Sequence, residues 1–299
     1  MGPLFRFSSA WNRFFFAKAD FRFCDVLRIC YSILLLINLF VLWPDLEKWY
    51  GENGVLPSQA AWELLDKSSF SLFQWIPLRP TGIPVFFAIL VFQTLCLLVG
   101  WNSRVNAACV FIWLTSFQRR NVLILDGEDV VFRLFAFYLM LCPIGIRYSI
   151  DAIVSRNREK SRELELRSIW PARLMQMQMA LIYLSTFSEK VQGAEWRDGS
   201  ALYYVSRLDQ FFSRFPLPAG PFNSLFFLNL LSWGTLCVEG SLPFALWWKK
   251  TRKIALILAL IFHLCVDYTM NLFLFQWIMI VGLISFLVQP APEALQTEN

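Results

Sequence analysis

Charge is scarce in this sequence. Only 16% of the 299 residues are Asp, Glu, Lys or Arg, against about 25% in a soluble domain, and 57% are hydrophobic. That balance excludes an ordinary soluble globular chain. Histidine occurs once, at His263. A bis-histidine haem or a histidine-based metal cluster within the chain is thereby ruled out, and no metal is expected. The seven cysteines are scattered, mostly inside apolar runs, with no C-x-x-C pair; they read as small buried hydrophobes rather than a disulfide framework. There is no P-loop, no G-x-G-x-x-G, no G-x-S-x-G and no H-E-x-x-H. No basic run is interleaved with aromatics, so no nucleic-acid partner is expected. The first residues, "MGPLFRFSSAWNRFFFAKADFRF", have no apolar core followed by a small-residue cleavage site, and Arg6 stands where myristoylation wants Ser or Thr.

What the sequence has in quantity is apolar and aromatic surface: 30 Phe and 13 Trp, suited to lipid contact and interfacial belts. A membrane helix needs about 20 mostly apolar residues. The clearest stretches are Pro80–Arg104, Phe222–Trp248 and Tyr268–Pro290. Val26–Trp43, Val130–Ile146 and Pro171–Ser188 are each interrupted by an arginine, and Val105–Phe117 and Ile254–Val266 are short. The expected fold is therefore all-α: a polytopic membrane helix bundle of about eight spans forming one domain over residues 1–299.

With the N-terminus inside, fifteen Lys and Arg fall in cytoplasmic segments, notably the N-terminal segment, "SRNREKSRELELR" and "KKTRK", against nine on the other side. This asymmetry predicts both termini cytoplasmic. Two outer loops are too long for plain connections. Pro44–Arg79 contains the turn-rich "WYGENGVLP" and an expected short helix, Ser58–Lys67. Gln192–Pro221 opens with "GAEWRDG", continues as an expected amphipathic helix, Ser200–Phe212, and ends at "RFPLPAGP".

Ionisable groups inside spans cost about 2.5–3.5 kcal/mol at the bilayer centre, so each should face protein or water and find a partner. They are Arg28, Arg133, Glu239 and His263, with Asp25, Asp129, Arg173, Glu189, Lys190 and Asp267 near span ends. Asp129 with Arg133, and His263 with Asp267, are one helical turn apart and share a face. Glu239, beside Gly240 and Pro243, either pairs with Arg28 or Arg133 or handles protons. Pro171 favours a helix start, so a helix is expected from there to about Lys190. Gln176, Tyr183 and Lys190 then fall at seven-residue spacing on one face, which should look into the bundle. Lys190 either snorkels to the interface or sits partly desolvated, able to act as a base.

The stretch "RLMQMQMALIYLSTFSEKVQGAEWRDGSALYY" resembles the signature of the horizontally transferred transmembrane domain, the membrane part of vitamin K-dependent gamma-carboxylase. The resemblance rests on Arg173, Gln176, Gln178, Tyr183, Lys190, Trp196, Gly199, Tyr203 and Tyr204. Other similar pieces follow the family order: Arg28, "WYGENGVLP", "GWNSR", "RRNVLILDGEDVVFRL", "CPIGIRYSID", Glu239 with Pro243, and His263 in "FHL". In that carboxylase a lysine deprotonates reduced vitamin K, which is oxygenated to a strong base and epoxidised while a peptide glutamate is carboxylated.

The resemblance implies Lys190 as the hydroquinone base with His263 as a second catalytic candidate. It also implies a substrate or quinone pocket of Arg28, Gln176, Tyr183, Trp196 and Glu239, with a reduced, vitamin K-like quinone as cofactor. Two departures stand out: Glu189 replaces a second lysine, and one more residue separates Lys190 from Trp196. The carboxylase continues into a large luminal domain, whereas this sequence stops at "PAPEALQTEN". Bacterial proteins of this type resemble components of peptide-toxin maturation systems. The resemblance thus implies a secreted peptide and a soluble partner protein as partners, lipid apart, and a multi-pass place in a bacterial inner membrane. The alternative to a quinol-dependent enzyme is a non-redox accessory for maturation or export of a secreted peptide. A transporter ranks lowest, since no inverted repeat is evident.

Overall fold

The computed structural model describes residues 3–64, 70–76, 82–158, 166–208, 215 and 219–292, with side chains omitted at 3–7, 156–158 and 219. The distal ends of both expected loop helices, at 65–67 and 209–212, lie outside the described residues. So do the middle of "SRNREKSRELELR", half of "RFPLPAGP", Pro80, and Lys67, Arg79, Lys160, Arg162 and Arg214 of the charge distribution. Among the described residues the fold is all-α apart from one pair of two-residue strands. The chain divides into two compact units, one of residues 1–174 with 287–299 and one of residues 175–286.

The first unit contains α1 (Pro3–Phe16), α2 (Arg22–Leu42), α3 (Leu46–Tyr50), α4 (Ser58–Leu64), α5 (Gly82–Val99), α6 (Ser103–Arg120), α7 (Gly127–Leu141) and α8 (Ile150–Arg158). Strand β1 (Lys18–Ala19) pairs antiparallel with β2 (Arg167–Ser168), and Ala19 also bridges to Pro290. Helix α2 packs on α5 and α7, α5 on α6, and α6 on α7. The arginine inside α2 is explained by what it meets. Arg28 is fully buried and donates to the carbonyls of Leu97, Leu98 and Tyr148. Those of Leu97 and Leu98 belong to the last turn of α5, where helix carbonyls lack intrahelical partners and attract a cation. Gly100, at φ +73, leaves the room: a Cβ there would lie 2.3 Å from Ser149 Cβ and 3.2 Å from Arg28 Cζ. Asp25 lies 3.4 Å from Arg28 and accepts the amides of Gly145, Ile146 and Arg147 at 2.6, 3.0 and 2.8 Å.

The turn-rich "WYGENGVLP" is pinned to the end of α6. Arg120 donates to Leu56 and Gly51 carbonyls at 2.8 and 3.0 Å, and Asn121 donates to Trp49 at 2.8 Å. Asp129 and Arg133, one turn apart on α7, act on each other electrostatically as expected, and each also has hydrogen-bond partners of its own. Asp129 closes a capping box with Asp126 at the start of α7, while Arg133 donates to Gln118 at 2.9 Å.

Helix α9 (Trp170–Gln192) starts beside Pro171 as expected, and the unit boundary falls within it. The second unit then holds α10 (Ala194–Arg197), α11 (Ala201–Val205), α12 (Ala219–Phe222), α13 (Leu225–Ala245), α14 (Arg252–Thr269) and α15 (Phe275–Leu283). Among the described residues, three helical runs are long and apolar enough to cross a bilayer: Arg22–Tyr50, Gly82–Val99 and Leu225–Ala245; Phe275–Leu287 is apolar but shorter. Of the other expected spans, Val105–Phe117, Pro171–Ser188 and Ile254–Val266 are helical throughout and Val130–Ile146 only as far as Leu141, but polar residues or short length leave each less suited to a full crossing. Tyr268–Pro290 departs most from expectation. Helix α14 runs through Tyr268 to Thr269, Phe273 turns the chain at φ +38, and α15 begins only at Phe275.

Candidate functional site

The second unit encloses a cavity of about 260 Å³ whose walls come from α9, α13, α14 and α15, with residues of α10, α11 and α12 added. Ile182, Phe222, Leu231, Phe262, Val266 and Met279 make much of it apolar. Two polar groupings interrupt that lining, and both include residues of α9.

The first is Lys190 with Glu239. Lys190 Nζ lies 2.9 and 2.7 Å from the two carboxylate oxygens of Glu239, with the lysine side chain 25% and the glutamate 9% exposed. Distances in this range are those of a charge-assisted pair. The ammonium also stands 5.5 Å from the centroid of the Trp196 ring, within cation–π range. Local packing explains why the carboxylate reaches it. At Gly240 a Cβ would lie only 2.9 Å from the Phe187 ring, so the absent side chain is what lets α13 come this close to α9. Glu239 therefore pairs with Lys190 and not, as expected, with Arg28 or Arg133. Both arginines belong to the first unit and have the partners described above. Glu189, next in sequence to Lys190, is exposed and receives a hydrogen bond from Ser185.

The second grouping runs across three helices. The Tyr183 hydroxyl is 2.6 Å from His263 Nε2, and His263 Nδ1 faces the Gln276 side-chain oxygen. With the amide in this orientation, Nδ1 carries the proton and donates to Gln276, leaving Nε2 to accept from Tyr183. Tyr183, His263 and Gln276 are 2, 2 and 4% exposed, so this is a buried, mutually satisfied chain. Both ring nitrogens of His263 are thus engaged by other helices, and the expected contact with Asp267, one turn along α14, is not what orients the imidazole. Gln276 was not anticipated. Its signal was present, a lone amide in the apolar run "LFLFQWIMIVGL".

The expected file on α9 faces inward. Gln176 is fully buried and donates to the Ser285 carbonyl at 2.7 Å, below the cavity lining; Tyr183 and Lys190 belong to the lining itself. Seven residues of helix place those two about 10.5 Å apart along the axis. Of the candidate pocket residues, Tyr183, Trp196 and Glu239 join Lys190 and His263 at the cavity; Gln176 and Arg28 do not line it.

After α9 the chain folds onto the first half of α13. Gly199, at φ +86, makes the turn, and a Cβ there would lie 2.9 Å from Trp233. Trp233 donates to Arg197 and the Leu202 amide donates to Ser232. Ser200 hydrogen bonds, from its hydroxyl and its amide, hold the exposed Asp198 carboxyl below its ordinary range and fix the turn.

The HTTM domain model matches residues 18–290, nearly the whole of the chain. The chain belongs to the HTTM domain family. Two curated relatives come from Bacillus subtilis (strain 168). Sporulation-delaying protein SdpB is 22% identical over 209 residues, covering 67% of this chain and 62% of SdpB. Uncharacterized protein YitO is 25% identical over 237 residues, covering 76% of this chain and 69% of YitO. The match to this HTTM domain thus spans less than two thirds of SdpB's length. No solved structure matches. Family membership and the long apolar helices make this a membrane protein.

Proposed function

We propose that this HTTM domain protein is carboxylase-like: it receives the hydroxyl of a reduced quinone in the cavity of its second unit, with Lys190 at the place of the base, and uses it to modify a peptide or protein. The observation that carries this reading is the Lys190–Glu239 pair set into an apolar lining. Ionisable groups held in a cleft by a specific charge partner are where proton chemistry concentrates. The cavity volume, about 260 Å³, is near the lower end of the roughly 300–1,000 Å³ of small-molecule sites. It suits an aromatic head group whose hydrocarbon tail lies elsewhere. The Lys and Arg distribution supports about eight crossings as a single HTTM domain in a bacterial inner membrane, both termini cytoplasmic. The test is purified protein in lipid nanodiscs supplied with reduced naphthoquinone, oxygen, bicarbonate and a candidate precursor peptide. Quinone epoxide or peptide modification is expected with wild type and not with Lys190→Ala; absence of both products with wild type would reject the enzyme.

One observation favours a second reading. The charge of Lys190 is already met by Glu239, as in a binding cavity without redox chemistry, and such a protein would serve maturation or export of a secreted peptide with a soluble partner. Peptide maturation in cells that survives Lys190→Ala and needs no quinone would select this reading.

A further inference from the structure

We infer that Glu239, and not Lys190, accepts the proton of a hydroxyl bound in this cavity, while Lys190 is the cation that holds the anion so formed. This rests on the reading above only in that an aromatic hydroxyl enters the cavity. A protonated lysine has three N–H donors and no lone pair. In contact at 2.9 and 2.7 Å with both oxygens of a carboxylate, it has nothing with which to take a further proton. The carboxylate has.

The transfer is a simple exchange. The O–H bond of the ligand breaks and its electron pair stays on the ligand oxygen. The proton forms a new O–H bond on a Glu239 carboxylate oxygen. The Lys190 ammonium, no longer facing an anion there, turns its N–H donors to the ligand oxyanion. One cation and one anion occupy the cavity before and after, so no buried charge is left unpaired at either stage, which is where the large electrostatic penalty would lie. The Trp196 ring, 5.5 Å from Nζ, steadies the ammonium through the exchange. The other basic atom in the lining is already engaged: His263 Nε2 faces the Tyr183 hydroxyl at 2.6 Å. The packing of Gly240 on Phe187 acquires a role as well, because it brings the acceptor to the lysine.

The test uses 4-methoxy-1-naphthol, a hydroquinone monoether with one ionisable hydroxyl, whose naphtholate form has its own absorbance. Full-length protein in nanodiscs is titrated with this probe while infrared difference spectra follow the carboxyl groups. In wild type, binding should produce naphtholate together with a protonated-carboxyl band. Glu239→Gln should remove that band and cut the naphtholate signal by about tenfold or more, equivalent to at least one pKa unit. Lys190→Arg, whose guanidinium stays charged in proteins, should retain both. Naphtholate that forms in wild type without a carboxyl band, or that persists in Glu239→Gln, would overturn the assignment. So would a probe that fails to bind or to ionise in wild type, an outcome that would sink the hydroquinone reading too. If the probe ionises as expected but reduced naphthoquinone is never consumed, the hydroquinone reading fails and the Glu239 assignment stands. The wild-type infrared band decides the question even where a variant fails to fold.

Discussion

Lys190 and Glu239 lie 49 residues apart in sequence, and neither is interpretable without the other. Removing one partner leaves a charge in an apolar wall. Lys190→Met or Glu239→Leu alone should each destabilise the protein by about 1–3 kcal/mol, less than the roughly 3–5 of a fully buried pair because the lysine keeps some contact with solvent. The double variant should be less destabilised than either single one. Thermal unfolding midpoints in detergent check this, and additive losses would show that the two groups do not act as a pair. Arg28 makes the contrasting case. Its role was not readable from its position in an apolar run, because the carbonyls it serves come from Leu97, Leu98 and Tyr148. Arg28→Ala should cost about 3–5 kcal/mol, seen as loss of folded protein by fluorescence-detected size exclusion.

Helices were legible where period and punctuation were strong. Pro171 marked the start of α9, and the spacing of Gln176, Tyr183 and Lys190 gave its inward face, since Gln176 and Tyr183 are buried and Lys190 lines the cavity beside Tyr183. The break between α14 and α15 was not legible. No proline or glycine marks it, and an apolar run says nothing about a left-handed residue at Phe273. Helix contact depends on single small residues in the same unannounced way. Gly240→Val would drive its side chain into Phe187. It should cost about 1–3 kcal/mol by overpacking and, by separating α13 from α9, abolish the coupling between Lys190 and Glu239 in the double-variant comparison. Retained coupling would mean that the approach at Gly240 does not set the pair.

For the whole molecule, cysteine accessibility reads the topology directly. With the exposed cysteines Cys237 and Cys265 replaced by serine, Arg207→Cys should react with a membrane-impermeant maleimide in intact cells. Lys250→Cys should react only after permeabilisation. The reverse pattern would invert the proposed orientation. The sequence by itself determined the solvent: so few charges and so many apolar and aromatic residues suit only a chain whose helices bury their backbone groups and show side chains to lipid. It also marked which ionisable residues needed partners. Only the tertiary structure decided the pairings, giving Glu239 to Lys190, His263 to Tyr183 and Gln276, and Arg28 to helix-end carbonyls. The reason is that side-chain burial within one helix follows a local period, whereas contact between helices depends on where a glycine permits close approach and where a helix ends.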